Sequence, residues 1–204
     1  FATALGLDFG RIQFTPDLLP GDILGSNLFN FQTSTFTLTR GPIFCELLLA
    51  DEINRTPPKT QAALLEAMQE RRVTLDGETH ALPDRFMVVA TQNPIEQEGT
   101  YPLPEAQLDR FLLEINVPYP DLESERRMLF ATTGNDEAEV ENVFSREDLM
   151  RAQRLTRTIP VGEKIADAIL DLVRSARPGA DGSDYANETI SWGPGPRASQ
   201  SLML

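Results

Sequence analysis

The chain has 204 residues, of which 41% are hydrophobic and 24% are charged, and these proportions are typical of a globular protein rather than a disordered or fibrous one. Its formal net charge of −13 at pH 7 argues against nucleic acid as a partner, because so acidic a surface repels phosphate backbones. No apolar run reaches the ~18 residues that a membrane span needs, and no basic-then-apolar leader opens the chain, so we expect a cytoplasmic protein without membrane insertion.

The first part of the chain alternates strand-like and helix-like segments, which is typical of an α/β domain. Strands are predicted, in chain order, over residues 11–15, 43–50, 85–91 and 112–117. Short helices are predicted within 16–25 and 102–111, and a longer one to about residue 72 with Thr56 as its N-cap. Strand 43–50 is almost entirely apolar apart from Glu46, so we expect it at the centre of the sheet. The long helix connects it to strand 85–91, which predicts parallel pairing.

Two further segments predict β-hairpins inserted into this core. Phenylalanine and threonine alternate over residues 29–39. Over residues 73–80 the pair Asp76-Gly77 lies between alternating flanks, which is the strongest short signal for a hairpin turn.

The pattern changes at the Pro-Tyr-Pro run of residues 118–120, which predicts a boundary between an α/β domain over 1–119 and a helical domain over 120–204. Helices are predicted over 122–132, 145–156 and 161–177, and from about 196 onward. Ser145, with Asp148 three residues later, is a candidate N-cap. The chain starts like the tail of a helix and stops without a helix-ending signal, so we expect a fragment that is truncated at both ends.

Two acids, Asp51 and Glu52, follow directly after the predicted central strand. In open α/β sheets, ligands bind just outside the carboxyl ends of the strands. A carboxylate at that position can hold Mg²⁺ beside nucleotide phosphates, and its neighbour can orient and deprotonate an attacking water. The alternative is a solvated acid pair that only ends a strand, and the pair alone does not decide between the two.

Other candidate residues follow the next strand and helix. Asn93 could hold a water against a phosphate or simply form a turn. Arg110 could pair with Asp109, or it could reach a phosphate on a neighbouring subunit, since a guanidinium matches phosphate oxygens. The single cysteine, Cys45, and the single histidine, His80, are expected to be structural and to exclude a disulfide or a histidine-rich metal site.

These residues lie in longer stretches whose sequence closely resembles that of one protein family. GPIF at 41–44, ADEINR at 50–55 and PKTQAALLEAM at 58–68 resemble the Walker B segment of MoxR-type AAA+ ATPases and the helix that follows it. Residues 8–20, 90–95, 98–111 and 191–199 also match, and the resemblance is weakest over 133–160. It implies an α/β fold: an AAA+ P-loop NTPase core with a parallel sheet and two β-hairpin insertions, followed by a small α-helical lid.

The resemblance also implies a role for each candidate residue. Asp51 would serve Mg²⁺, Glu52 the attacking water, Asn93 would be sensor 1, and Arg110 the arginine finger. Arg197, at the start of the last predicted helix, would be sensor 2 and contact the γ-phosphate of ATP. A cation at a helix N-terminus opposes the helix dipole, and a nearby phosphate would remove this conflict. The implied cofactors are therefore ATP and Mg²⁺.

The family further implies an ATP-driven, chaperone-like remodeller of client proteins. It would assemble as a homo-oligomeric ring, a hexamer, with a von Willebrand A-domain protein presenting the client. One alternative is another enzyme of the same branch, either a magnesium-chelatase motor subunit or a helicase. The hairpin over 73–82 has acids at Asp76 and Glu78 but no lysine or arginine, which counts against the helicase. The other alternative is a truncated scaffold that does not hydrolyse ATP.

The chain contains no G-x-x-x-x-G-K-[ST] segment, the Walker A loop whose backbone amides and lysine hold the phosphates in the family. We therefore predict that the 204-residue chain, on its own, binds ATP weakly or not at all. Isothermal titration calorimetry with ATP and Mg²⁺ measures this directly, and a tight binding isotherm would contradict the prediction.

Overall fold

A computed structural model of the chain describes residues 1–93, 99–132 and 140–204. The motif residues Pro94, Ile95 and Glu98 lie outside the described residues. The strands are β1 Phe9–Gln13, β2 Gly25–Asn30, β3 Thr35–Arg40, β4 Leu47–Asp51, β5 Arg72–Leu75, β6 Glu78–Ala81 and β7 Met87–Ala90. The helices are α1 Ala2–Leu5, α2 Pro20–Leu24, α3 Pro58–Glu70, α4 Glu105–Leu108, α5 Leu122–Thr132, α6 Arg146–Thr158, α7 Glu163–Ser175, α8 Asp184–Thr189 and α9 Pro196–Met203.

The central feature is a three-stranded parallel sheet in the order β1-β4-β7. β4 pairs with β1 along its whole length, with Asp51 opposite Gln13, and it pairs with β7 from Leu47 to Ala50. Helix α3 lies between β4 and β7 in the chain, which confirms the predicted crossover. Because all three strands run in the same direction, the polar residues that follow them meet at one edge of the sheet.

The core packs mainly around β4 and α3. Leu48, Leu64 and Ile53 are completely buried, together with Phe14, Ile23 and Ile43. The central position of strand 43–50 is therefore confirmed, although its regular pairing begins only at Leu47. Cys45 is buried as expected, and burial, followed by the nearby negative charge of Asp8, raises the pKa of its thiol to about 11. The thiol is neutral at physiological pH, which fits a structural role.

Both predicted hairpins are present. β5 and β6 pair antiparallel around Asp76 and Gly77, and both turn residues have positive φ, 50° and 88°, as a two-residue hairpin turn requires. In the β2–β3 hairpin the ring of Phe29 lies 5.1 Å from the rings of both Phe31 and Phe36, measured between centroids. Phe31 is 87% exposed and Phe36 is 71% exposed, so this hairpin presents an aromatic cluster to solvent.

The predicted strand over 112–117 is wrong. These residues have no regular secondary structure, and their apolar side chains are exposed, Val117 by 88%. A strand needs a neighbouring strand for its backbone hydrogen bonds. An apolar composition does not show whether such a neighbour is present. Within the described residues, the second edge of β7 is not paired either.

The helix boundaries also differ in detail. Thr56 is not the N-cap of α3, because Pro57 occupies that position in an extended conformation with Pro58 as the first helical residue. Helix α8 was not predicted, although the hydroxyl of Ser183 caps it by accepting from the amide of Ala186. Ser145 caps α6 as expected, accepting from the amide of Asp148 at 3.1 Å.

The second part of the described chain is helical, as predicted, and consists of α5 to α9. The proposed domain boundary near residue 120 stays a prediction. None of the helices in the described ranges is long and apolar enough to cross a membrane.

Candidate functional site

The acid pair lies at the carboxyl edge of the parallel sheet, where β4 ends. Asp51 is the last residue of β4 and Glu52 follows it. The side chain of Thr91, the first residue after β7, contacts both. Its hydroxyl donates to Oδ1 of Asp51 at 2.6 Å and accepts from the backbone N–H of Glu52 at 2.8 Å. One hydroxyl on the neighbouring strand therefore positions both acids.

Asp51 is held in its ionised form. Besides Thr91, it accepts a hydrogen bond from Nη2 of Arg11, on β1, at 2.7 Å from Oδ2. These two hydrogen bonds, the one from Thr91 first, lower the pKa of Asp51 below its ordinary value. Each donor favours the charged carboxylate over the protonated one. Asp51 is therefore a carboxylate at neutral pH.

Glu52 has an unusual backbone conformation, with φ 57° and ψ 49°. This left-handed region is uncommon for residues other than glycine and costs on the order of 1 kcal/mol. Several contacts hold it there. The next amide, that of Ile53, donates to the carbonyl of Thr91 at 3.0 Å. The carboxylate itself accepts from Nε2 of Gln13 at 2.8 Å and from Nη1 of Arg55 at 3.2 Å. The bond to Thr91 thus holds the backbone of Glu52, and the bonds from Gln13 and Arg55 hold its carboxylate.

Asn93 lies on the same edge, two residues after Thr91 and half-buried. Its backbone carbonyl accepts from Nδ2 of Asn54, at 3.2 Å. Asn54, which is only 6% exposed, belongs to the short 3-10 turn that directly follows Glu52. The chain after β7 is therefore tied to the chain after β4, and the structure brings Asn93 to the same edge as the acid pair.

The two predicted arginines lie together but apart from the acids. Arg110 and Arg197 both line a cavity of about 310 Å³ whose other walls include Met68, Phe86 and Phe111. Neither Asp51 nor Glu52 lines it. Arg197 pairs with Asp109 at 3.4 Å. The simple pairing of Arg110 with Asp109 is therefore not what the structure shows.

Arg110 is exposed, and its Nη1 donates to the carbonyl of Leu65 at 3.2 Å. Among the residues that the structure describes, it makes no ion pair. A guanidinium held by one neutral acceptor at the surface keeps most of its donors available to an anionic ligand.

The acid edge has the chemistry that a magnesium ion requires. Mg²⁺ prefers oxygen ligands and is usually bound through one or two carboxylates and retained waters. Asp51 and Glu52 would supply the carboxylates and Thr91 a hydroxyl oxygen, and the lowered pKa of Asp51 keeps it charged. A carboxylate has about four lone-pair positions, so its hydrogen bonds to Thr91 and Arg11 leave room for a hydrated cation.

Four residues of this edge were not identified from the sequence: Arg11, Gln13, Arg55 and Thr91. Arg11 and Gln13 lie on the strand next to β4, and Thr91 directly follows the strand on its other side. The strand order could have pointed to Gln13 and Thr91, because residues at the ends of adjacent parallel strands are neighbours. The sequence at the end of one strand does not show which residues of the adjacent strands lie beside it.

Comparison with known proteins gives consistent matches. Residues 1–113 match the ATPase family associated with various cellular activities (AAA). The chain is 45% identical over 203 residues to the uncharacterized protein YeaC of Bacillus subtilis, covering 99% of this chain and 61% of YeaC. It is 44% identical over 204 residues to chaperone MoxR1 of Mycobacterium tuberculosis, covering 100% of this chain and 54% of MoxR1.

The fold matches too. The crystal structure of a predicted ATPase from Cytophaga hutchinsonii superimposes with a TM-score of 0.84 at 41% identity, over 98% of this chain and 61% of that one. The chain therefore spans between 54% and 61% of the length of these relatives. The family match covers more than half of the chain, and the parallel sheet with its two hairpins has the expected architecture, so the chain belongs to the AAA ATPase family, in its MoxR branch.

Proposed function

We propose that the protein hydrolyses ATP at the edge formed by Asp51 and Glu52, and uses the energy to remodel client proteins. The single observation that carries this proposal is the bridging hydroxyl of Thr91, which donates to Asp51 and accepts from the amide of Glu52. A solvated acid pair that only ended a strand would need neither this bridge nor the left-handed backbone at Glu52.

The two acids have different partners and are suited to different tasks. Asp51 is ionised and oriented by Arg11 and Thr91, which suits it to hold a hydrated Mg²⁺. When bound, Mg²⁺ neutralises charge on the nucleotide phosphates. Glu52 is aimed by Gln13 and Arg55, which suits it to accept a proton from the attacking water. The preorganised geometry means that little reorganisation is needed during the reaction.

Asn93 and the two arginines complete the proposed machinery. Asn93 reaches the same edge and has an amide that can both donate to a phosphate and accept from a water. Arg197 pairs with Asp109 in this structure, and we assign it to the γ-phosphate as sensor 2 from its place in the family motif. Arg110 we assign as the arginine finger, because its exposed guanidinium has no internal ion pair among the described residues. A finger that acts on a neighbouring subunit requires an oligomer, which we propose is a hexameric ring.

The client is proposed to be another protein. The relative MoxR1 is named a chaperone, and the aromatic cluster of the β2–β3 hairpin, Phe29, Phe31 and Phe36, is exposed. Exposed apolar patches mark surfaces that bind other proteins. A von Willebrand A-domain protein that presents the client remains part of the same proposal.

Replacing Glu52 with glutamine removes the proposed base but keeps the shape of the side chain. In the product of the complete gene, we predict a fall in ATP turnover of at least about 100-fold, with ATP still bound, because general base catalysis contributes on that order. Steady-state phosphate release and nucleotide titration measure the two effects separately. Glu188→Gln, at an exposed position of α8, is the matched control and should have wild-type turnover. Unchanged turnover in Glu52→Gln would refute the assignment.

Thr91→Val removes the bridging hydroxyl and keeps the β-branched shape. We predict a lower kcat and, at a fixed low Mg²⁺ concentration, an acidic limb of the pH–rate profile that moves to higher pH. The sign follows from the hydrogen bond of Thr91, the largest cause of the lowered pKa of Asp51. Without it that pKa rises, so the carboxylate becomes protonated at a higher pH. Thr91→Ser keeps the hydroxyl and should keep the wild-type profile. An acidic limb that stays in place in Thr91→Val contradicts this account.

Mixed rings test whether Arg110 acts across an interface. Arg110→Ala and Glu52→Gln subunits should each be nearly inactive alone, the first by about 10³-fold if it is an arginine finger. Equimolar mixing should restore activity, because about a quarter of the interfaces in a randomly mixed ring pair an intact Glu52 with an intact Arg110. Mixing either variant with the double variant is the control and should restore nothing. No recovery in the first mixture would show that Arg110 does not act on a neighbour.

A further inference from the structure

Glu46 is a buried acid at the opposite end of β4 from the acid pair. It directly precedes Leu47, the first residue of the strand, and is only 5% exposed. A buried carboxylate is costly unless it is paired and hydrogen-bonded. The proposed ATPase chemistry does not use it, so its partners need an explanation of their own.

The partners of Glu46 come from the segments before all three strands. Its Oε2 accepts from the amide of Asp8, just before β1, at 2.9 Å. Its Oε1 accepts from Nε of Arg85, just before β7, at 2.7 Å, and Nη2 of Arg85 contacts the same oxygen. Its backbone amide donates to the carbonyl of Asp8, and its carbonyl accepts from the amide of Met87. Glu46 therefore joins the amino ends of the three strands.

A fourth partner comes from the helical part of the chain. Nη2 of Arg146, the first residue of α6, lies 3.4 Å from Oε2 of Glu46, and its Nε donates to the carbonyl of Gly6 at 2.9 Å. The preceding amides of Val143 and Phe144 both donate to the carbonyl of Ala4. Burial alone would raise the pKa of Glu46, but the amide of Asp8 and the two arginines outweigh it and lower that pKa. The carboxylate of Glu46 is thus charged and forms an ion pair with Arg146.

Apolar burial does little to hold helix α6 in place. None of its residues, all of which the structure describes, is buried, so apolar burial contributes little to its position. A helix of this length is marginal in water without tertiary contacts. Its attachment at the amino end, through Arg146 and through the two backbone bonds to Ala4 just before it, is therefore a large part of what orders it.

We propose that Glu46 is a charge clamp that fixes α6, through Arg146, to the amino end of the strand carrying Asp51 and Glu52. The clamp connects the helical part of the chain to the central strand of the sheet. It stands on contacts alone and does not depend on the proposed ATPase activity.

Hydrogen–deuterium exchange on the product of the complete gene tests the clamp. In Arg146→Ala, the amides of α6 should exchange about tenfold faster than in the wild type, since this variant loses both the ion pair with Glu46 and the hydrogen bond to the carbonyl of Gly6. Peptides that cover β4 and β7 should be unchanged. Arg157→Ala, at an exposed position near the other end of the same helix, is the matched control and should leave exchange in α6 unchanged. Equal exchange in the Arg146 and Arg157 variants would overturn the proposal.

Two further variants separate the clamp from a general loss of packing. Arg146→Lys keeps the charge but not the planar fork, and it should restore most of the protection. If lysine behaves as alanine does, the bond to Gly6 rather than the charge of Glu46 holds the helix, and the proposal fails. Glu46→Gln should loosen α6 by less than Arg146→Ala, which also loses the bond to Gly6, and the double variant should exchange as Arg146→Ala does. Additive effects would also overturn it. If Glu46→Gln does not fold, the Arg146 series decides alone.

Discussion

The parallel pairing of β4 with a strand on each side places the acid pair. Asp51 lies opposite Gln13 of β1, and Ala50 lies opposite Ala90 of β7. Residues that are far apart in the chain therefore emerge side by side where the strands end. Arg11, Gln13 and Thr91 contact the acids only because this register is kept. A slip of one residue would turn each of these side chains to the other face of the sheet.

The same pairing gives the two ends of β4 different chemistry. At the carboxyl end, the acids are partly open to solvent and are held by neutral and cationic donors. At the amino end, Glu46 is buried and is held by partners from the segments before β1 and β7 and from α6. The carboxyl end is suited to reversible ligand binding, and the amino end is suited to a permanent structural contact. The left-handed backbone at Glu52 lies at the carboxyl end, and such strained conformations cluster at functional sites.

Much of this could be predicted from the sequence where a local pattern determines the outcome. The apolar run before Asp51 predicts a covered central strand, and the Asp76-Gly77 pair predicts a tight hairpin, and both are found. The strand expected over 112–117 failed because strand formation depends on a pairing partner, which local composition does not reveal. The partners of Glu46 and the bridging role of Thr91 were missed for the same physical reason. Both depend on contacts between residues 38 or more positions apart.

The central claim is that Asp51 and Glu52 face the reacting end of a bound nucleotide. A crystal structure of the complete gene product with Mg²⁺ and a non-hydrolysable ATP analogue tests it most directly. The account predicts a hydrated magnesium ion beside Asp51 and an ordered water in hydrogen-bond reach of Glu52, next to the terminal phosphate. A nucleotide bound elsewhere, with both carboxylates facing only solvent, would contradict it.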